Sequence, residues 1–304
     1  MTPGHPLRLL VTGSQGQLGR ALQALAQANS STDYRFASHA ELDVSQADAI
    51  ERWLDAHPAD CLINAAAYTA VDRAASEPAT AMMANAQAPE TLARACAARN
   101  MRFFHVSTDY VFDGRTDRPY HEDDATAPLN TYGRSKQAGE QAVLSADSTA
   151  IIVRTSWLFS AWGPNFVHTM LRLGQQQATL RLVADQIGGP TWAGHLAAVL
   201  QNLARRPGGE TPGGIYHFSG QPWVSWQEFA QEIFVQAHAA GLMARIPTLL
   251  PISSTEWPAS EPRPANSRLD CGKLETLLGP LERDWRLGLG LVLADPEFQR
   301  RIKT

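Results

Sequence analysis

A tyrosine and a lysine four residues apart have a recognisable chemical use. Tyr132 and Lys136 belong to the segment YGRSK and fall within a predicted helix, so both side chains lie on one face. A phenol has an ordinary pKa near 10. A nearby ammonium stabilises the phenolate and brings the phenol toward a pKa useful for proton transfer near neutrality. The pair therefore predicts acid–base chemistry.

A hydroxyl group is expected beside this pair. The segment STDYVF at residues 107–112 begins at the end of a predicted strand. Doubly wound sheets bind ligands at the carboxyl ends of their strands. We therefore expect Ser107 or Thr108 to donate a hydrogen bond to a substrate oxygen.

The segment GSQGQLG at residues 13–19 follows a predicted strand and opens a helix. In this context Gly13 permits a tight turn, Gly16 lets a pyrophosphate approach the backbone, and Gly19 lets the helix pack closely on the strand. The helix amino terminus adds free amides and a partial positive charge. The loop predicts a dinucleotide site and, with the tyrosine and lysine, a carbonyl reduction site in which Lys136 also holds the nicotinamide ribose.

The end of the second predicted strand bears on the choice of cofactor. An acidic residue at this point usually binds the ribose 2′-hydroxyl, but the sequence has Ala37, Ser38 and His39 here. The pattern predicts NADPH, with NADH as the alternative. Asp43 either reaches the adenine side of the cofactor or caps a helix.

The elements that must position these groups alternate between strands and helices. The pattern predicts an α/β fold, a doubly wound, Rossmann-type parallel sheet with a second, smaller α/β substrate lobe. We expect residues 1–160 to form the dinucleotide-binding domain and residues 161–304 to form mainly the substrate lobe, with some segments returning to the sheet. Strands are predicted at 7–12, 34–37, 61–64, 103–107 and 151–154, and helices at 46–57, 131–144 and, after a capping box at Ser225 and Glu228, 225–240.

Composition excludes several other classes of function. The net charge is −4 without a long basic run, which argues against nucleic acid as a partner. No stretch approaches the ~20 apolar residues of a membrane span and no signal peptide is recognised, so we expect a cytoplasmic protein. The histidines lack the spacing of metal ligands, and we expect no metal.

The motifs together resemble those of one family. The glycine loop, NAAAYTAVD at 64–72, STDYVF at 107–112, YGRSK at 132–136, RTSW at 154–157, DQIGGPT at 185–191 and RPANSRL at 263–269 are similar to the dTDP-4-dehydrorhamnose reductases, which are extended short-chain dehydrogenases. The resemblance covers nearly the whole chain. It implies reduction of the C4 keto group of dTDP-4-dehydro-β-L-rhamnose, giving dTDP-L-rhamnose.

The resemblance also implies roles for individual residues. Thr108 would polarise the carbonyl, Tyr132 would protonate its oxygen, and Lys136 would complete the catalytic set. Residues expected to contact the cofactor are Gly13, Gln15, Gly16, Gln17, Leu18, Asp43, Val44, Asn64, Ala65, Ala66, Ala67, Tyr132 and Lys136. Residues expected to contact the dTDP-sugar are Thr108, Asp109, Tyr110, Trp157, Asn165, Gln186 and Arg263.

The chain departs from the family pattern at three positions. Ala75 stands where an acidic residue is common. Some members dimerise through magnesium held by two glutamates, and Arg20 and Gly194 occupy those places here. The resemblance therefore implies a monomer or weak homodimer without that metal.

Two other functions remain open from the sequence. A nucleotide-sugar epimerase or dehydratase shares the glycine loop and the Tyr–Lys pair, although a dehydratase would want an acidic pair after Thr108, and Asp109 is followed by Tyr110. A non-catalytic regulatory subunit of methionine adenosyltransferase shares the fold. The intact Thr108, Tyr132 and Lys136 set favours catalysis.

Overall fold

The computed structural model describes residues 6–28, 31–257 and 260–302. Its strands are β1 (Leu7–Thr12), β2 (Thr32–Ala37), β3 (Cys61–Asn64), β4 (Arg102–Thr108), β5 (Ile151–Thr155), β6 (Leu158–Phe159), β7 (Thr179–Val183), β8 (Ile187–Gly188), β9 (Thr191–Trp192), β10 (Gly214–His217), β11 (Val224–Ser225), β12 (Thr248–Ile252) and β13 (Asn266–Ser267). Its α-helices are α1 (Gln17–Gln27), α2 (Ala47–Ala56), α3 (Val71–Ala74), α4 (Pro78–Met82), α5 (Ala88–Ala98), α6 (Thr131–Ala146), α7 (Phe166–Gln176), α8 (Ala193–Arg205), α9 (Trp226–Ala239), α10 (Gly272–Leu278), α11 (Trp285–Ala294) and α12 (Pro296–Ile302). A π-helical turn spans Met83–Gln87, and 3₁₀ turns span Asp109–Val111 and Ser254–Glu256.

The central sheet has the strand order β10-β5-β4-β3-β1-β2, and every neighbouring pair in it is parallel. Strand order reverses beside β1, so the crevice between β1 and β3 is the expected ligand site of such a sheet. The predicted doubly wound parallel sheet is confirmed. Strands β1 and β3 begin and end at the predicted residues, whereas β2, β4 and β5 are one to two residues longer at one or both ends.

Successive side chains along each strand point to opposite faces of this sheet, and helices cover both faces. Leu9 and Val11 of β1 pack with α1 and α8 on one face, while Leu10 packs with α2, α5 and α6 on the other. Because the strands are covered on both faces, they read as nearly continuous apolar runs. The covered sheet leaves its carboxyl edge as the accessible place for a ligand.

A second apolar core lies in the later part of the chain, among α7, α9, α11 and the paired strands β7 and β12. The predicted capping box is present at the start of α9, since Ser225 Oγ accepts from Glu228 N and Ser225 N donates to Glu228. Two segments of this later part belong with the central sheet instead. Strand β10 pairs with β5, and helix α8 packs on one face of the sheet. None of the helices among the described residues is long and apolar enough to span a membrane.

Helix α6, which carries the tyrosine and lysine, is fixed by close contacts at three points. Asn130 caps its first turn by accepting from Gly133 N at 2.8 Å. Gly139 lets the helix approach the π-helical turn, because a Cβ there would lie 1.9 Å from Asn85 O. Glu140 binds Arg154 of β5 through two hydrogen bonds of 2.8 and 2.7 Å.

We predict that Arg154→Met lowers the free energy of unfolding by about 3–5 kcal/mol, because it leaves the buried Glu140 carboxylate without its partner. The side chains of Arg154 and Glu140 are 2% and 4% exposed. Arg94→Met, which breaks an exposed ion pair with Glu90, is the matched control and should cost less than about 1 kcal/mol. Urea unfolding measures the free energy of unfolding of both variants. Equal losses would show that the pair of Glu140 and Arg154 does not anchor α6.

Candidate active site

Two adjoining cavities lie along the carboxyl edge of the sheet. The first has a volume of about 690 Å³ and extends from the glycine loop past His39, Asp43 and Val44. The second has a volume of about 480 Å³ and extends from the same loop to Tyr132 and Lys136. Residues lining both cavities are Gln15, Gly16, Ala65, Ala66 and Ala67. The two cavities thus share a floor and form one continuous trough.

The glycine loop has the backbone geometry that its sequence predicts. Gly13 has a φ of +67°, and a Cβ there would lie 2.6 Å from Ala66 N. A Cβ on Gly19 would lie 2.3 Å from Gly13 O. Gly16 precedes α1 and has no side chain to cap it, so the amides of the first turn remain available to a pyrophosphate.

The part of the trough beside β2 differs from the expectation in one respect. A carboxylate does lie at the end of β2, because Glu41 Oε2 accepts from Ser38 N at 2.8 Å and from Ser38 Oγ at 2.7 Å. Its position in a turn after the strand hid it from the spacing rule. Asp43 faces the cavity and also accepts from Ser45 N at 3.0 Å. It stabilises a turn before α2 and is not the helix N-cap, which is Gln46.

Thr108, Tyr132 and Lys136 line the same cavity. Tyr132 is 9% exposed and packs edge-on against Tyr110, with ring centroids 5.6 Å apart. Lys136 is 2% exposed and donates to Val106 O at 2.7 Å. Thr108 Oγ1 donates to Asp109 Oδ1 at 3.0 Å and accepts from Tyr110 N at 3.2 Å.

Burial controls the titration of this set. It raises the pKa of Tyr132 to about 12, against the opposing effect of hydrogen bonding to Thr108. It lowers the pKa of Lys136 to about 8, partly offset by Glu140. The expectation that the lysine brings the phenol toward neutrality is not met in this structure, because burial dominates the pKa of the phenol, and the groups that modify it are Thr108 and Asp109. Tyr132 holds its proton at neutral pH.

The end of the second cavity near Thr108 is lined by residues with polar atoms that have no partner among the described residues. Ser107 Oγ, Asp109 Oδ2 and Thr155 Oγ1 are buried without a hydrogen-bond partner in the described part of the chain, and all three residues line the cavity. Buried polar atoms usually have partners. Each of the three residues therefore brings to the wall of the cavity a polar atom that no described residue binds.

Two stacked tryptophans form a wall of this cavity. Trp157 has a φ of +46° and stacks on Trp226 with centroids 3.5 Å apart and planes 7° apart. Trp226 lines the cavity as well, and it is not among the site residues expected from the sequence. The only available signal was its position at the start of α9, directly after the capping serine.

Three residues expected to contact substrate are occupied by partners in the protein. Asn165 lines the cavity, but its amide binds Gln17 Oε1 at 3.1 Å and caps α7. Gln186 accepts from Trp226 Nε1 at 3.2 Å and so helps to orient a ring that lines the cavity. Arg263 Nη2 pairs with Asp72 at 3.0 Å.

No group of three or more His, Cys, Asp or Glu side chains that could hold a metal ion is found within residues 6–28, 31–257 and 260–302.

Gln15, Gln17 and Leu18 of the glycine loop and Asn64 at the end of β3 line the trough. His105, which contacts Lys136, is a site residue that the sequence did not single out. Its signal was a polar residue within an apolar strand.

The family described as "RmlD substrate binding domain" matches residues 7–297. The chain belongs to this family. It is 42% identical over 292 residues to a dTDP-4-dehydrorhamnose reductase of Aggregatibacter actinomycetemcomitans, covering 95% of this chain and 99% of that protein. It is also 40% identical over 285 residues to a probable dTDP-4,6-dihydroxy-2-methyloxan-3-one 4-ketoreductase of Streptomyces antibioticus, covering 93% of both.

A solved structure supports the same family and the Rossmann fold. The dTDP-4-dehydrorhamnose reductase of Bacillus anthracis, in complex with NADP, superimposes with a TM-score of 0.86 at 34% identity. The match covers 95% of this chain and 99% of that one. The resemblance recognised from motifs in the sequence is therefore confirmed at the level of the family.

Asp109 provides a test of the electrostatics of the site. Burial raises the pKa of its carboxyl to about 6, above its ordinary value near 4. The folded state then binds a proton more tightly than the unfolded state, so stability is lost as pH rises from about 4 to 6. We predict that Asp109→Asn removes this loss, worth about 2–3 kcal/mol.

Urea unfolding of both proteins at pH 4 and pH 7 measures the effect, with Asp117→Asn, at an exposed side chain, as a control for loss of one formal charge. The wild type should lose stability relative to Asp109→Asn on going from pH 4 to pH 7. A stability difference that is the same at both pH values would show that the carboxyl is not perturbed.

Proposed function

We propose that the protein reduces the C4 keto group of dTDP-4-dehydro-β-L-rhamnose to give dTDP-L-rhamnose, with NADPH as reductant and NADH as the alternative. The observation that carries the proposal is the continuous trough from the glycine loop to Thr108, Tyr132 and Lys136. It occurs in a chain that belongs to a family whose members include dTDP-4-dehydrorhamnose reductases.

The nicotinamide supplies a hydride to C4 when it is bound. Tyr132 is proposed to donate its hydroxyl proton to the C4 oxygen as the carbon–oxygen double bond becomes a single bond. Its raised pKa keeps that proton in place until reaction. Thr108 is proposed to hydrogen-bond the same oxygen, and Lys136 to hold the ribose and stabilise the phenolate left behind.

The cofactor is proposed to lie along Gly13–Leu18, Asp43, Val44 and Asn64–Ala67. The free amides at the start of α1 suit its pyrophosphate, and the shared floor of the two cavities suits an extended dinucleotide. Glu41 is exposed at the β2 end, so water screens its charge and a 2′-phosphate is tolerated there.

The sugar is proposed to bind against Trp157, which offers an apolar ring face to a pyranose. Asp109 and Tyr110 lie beside Thr108 at the same end of the cavity, and the unsatisfied oxygen of Asp109 suits a sugar hydroxyl. Arg263 is proposed to bind the diphosphate, which requires it to leave Asp72. Gln186 and Asn165 support the site through Trp226 and Gln17.

The two parts of the chain are proposed to divide the work, with residues 1–160 binding mainly the cofactor and residues 161–304 mainly the sugar nucleotide. We expect the protein to act as a monomer or weak homodimer, because Arg20 and Gly194 replace the glutamates of the metal-bridged family dimer. We propose that it acts on the nucleotide sugar in the cytoplasm.

We predict that Tyr132→Phe lowers kcat roughly 10²–10⁴-fold, because the proton donor is lost. The assay follows NADPH consumption with dTDP-4-dehydro-L-rhamnose. Tyr34→Phe is the matched control, since Tyr34 lies on β2 outside the trough and likewise loses a hydrogen bond, to Gln201; its rate should stay near that of the wild type. A wild type that consumes no NADPH would refute the function, and a Tyr132→Phe variant at full rate would refute the mechanism.

A further inference from the structure

His105 contacts Lys136 directly, and the proposed chemistry gives it no role. Its Nε2 lies 3.2 Å from Lys136 Nζ, and its Nδ1 lies 3.1 Å from Asn64 Nδ2. His105 is completely buried and Asn64 is 1% exposed. In such a dry environment each donor must face an acceptor, so the positions of the protons can be derived.

The orientation of the Asn64 amide is fixed by a backbone group. Asn64 Oδ1 accepts from Thr12 Oγ1 at 2.7 Å and from Ala66 N at 3.2 Å. A backbone N–H is only a donor, so the opposite orientation of the amide would set two donors against each other. Asn64 Nδ2 therefore donates to His105 Nδ1.

The ring proton of His105 consequently lies on Nε2, the nitrogen that faces Lys136. An ammonium ion has three donors and no acceptor, so it would oppose this ring N–H. A neutral amine accepts from Nε2 and still donates to Val106 O, 2.7 Å away. Only the neutral amine satisfies every group in this chain of hydrogen bonds.

We propose that Asn64 and His105 are positioning residues that present a ring N–H to Lys136 and so favour its neutral amine over its ammonium ion. This deepens the proposed function, since it rests on Lys136 as a member of the proposed catalytic set. A lysine balanced between its two forms near neutral pH can take up a proton from solvent and so supply the charge that stabilises the phenolate of Tyr132.

The titration behaviour agrees with this geometry. Burial lowers the pKa of Lys136 to about 8, and burial followed by the charge of Lys136 lowers the pKa of His105 well below its ordinary value. The ring is therefore neutral and carries a single proton. The His105 N–H that faces the amine is a second cause, besides burial, of the lowered pKa of Lys136.

Other charged or titratable groups lie on α6, which also carries Tyr132 and Arg134, and on the elements packed against it, of which Asp109 lines the same cavity as Lys136. On α6 itself, Glu140 is bound to Arg154 of β5. Titratable or charged residues on the remaining elements packed against α6 are Asp109 and Tyr110 of the 3₁₀ turn, Asp72 and Arg73 of α3, Glu90, Arg94 and Cys96 of α5, and Arg102 of β4. Helix α4 and the π-helical turn carry none.

The chain offers a direct measurement, because it has only three lysines, Lys136, Lys273 and Lys303. Protein labelled with ¹³C at the lysine ε carbon should give three signals that titrate separately in NMR. Lys273→Arg and Lys303→Arg assign the remaining signal to Lys136. The wild-type midpoint for Lys136 should lie near pH 8.

We predict that His105→Phe raises this midpoint by roughly one pH unit, because the donor facing the amine is gone. Asn64→Asp should raise it by at least as much, since a carboxylate facing Nδ1 moves the ring proton there and lets Nε2 accept from the ammonium. In the His105→Phe background, Asn64→Asp should add little further shift. His57→Phe is the control, because His57 follows α2 at the opposite edge of the sheet, and the midpoint should not move.

The proposal is overturned if folded His105→Phe and Asn64→Asp proteins both keep the wild-type midpoint. It is also overturned if Asn64→Asp shifts the midpoint equally with and without His105, since the carboxylate would then act through space. Should His105→Phe fail to fold, His105→Leu takes its place in both comparisons. The titration needs neither substrate nor turnover, so its failure leaves the proposed function standing, and absence of activity leaves the titration valid.

Discussion

Burial of the Lys136 amine beneath the carboxyl edge of the sheet is the constraint around which the site is arranged. An amine that is 2% exposed must have hydrogen-bond partners nearby, and β4 supplies Val106 O and the His105 ring only if α6 lies close and in register. The cap at Asn130, the close approach at Gly139 and the Glu140–Arg154 pair each hold the helix there. The same placement brings Tyr132 beside Thr108, so catalytic geometry and packing depend on one another.

Much of the fold follows from local sequence. Strands β1 and β3 were predicted to the residue because each is a short, mainly apolar run whose end is marked by a particular residue. Gly13 follows the last residue of β1, and the polar Asn64 is the last residue of β3. The capping box at Ser225 was equally readable. The places of Tyr132 and Lys136 in the trough followed from helical spacing and from the rule that ligands bind at the carboxyl ends of strands.

What the sequence did not provide depends on contacts between distant residues. The pairing of Arg263 with Asp72 joins positions far apart in the chain. The stacking of Trp226 on Trp157 likewise joins two residues that are distant in sequence. The direction of the Tyr132 pKa depends on how completely the phenol is desolvated, which spacing cannot reveal. Glu41 was missed because a turn, and not a fixed interval, returns its carboxylate to the end of β2.

The central claim is that a buried phenol donates the proton and that Thr108 shares its target. A crystal structure of the protein with NADPH and dTDP-L-rhamnose tests it most directly. We expect the Tyr132 hydroxyl to lie about 2.6–3.2 Å from the sugar O4, with the Thr108 hydroxyl on the same oxygen. A sugar O4 held by other side chains, with the Tyr132 hydroxyl directed into the packed interior, would contradict it.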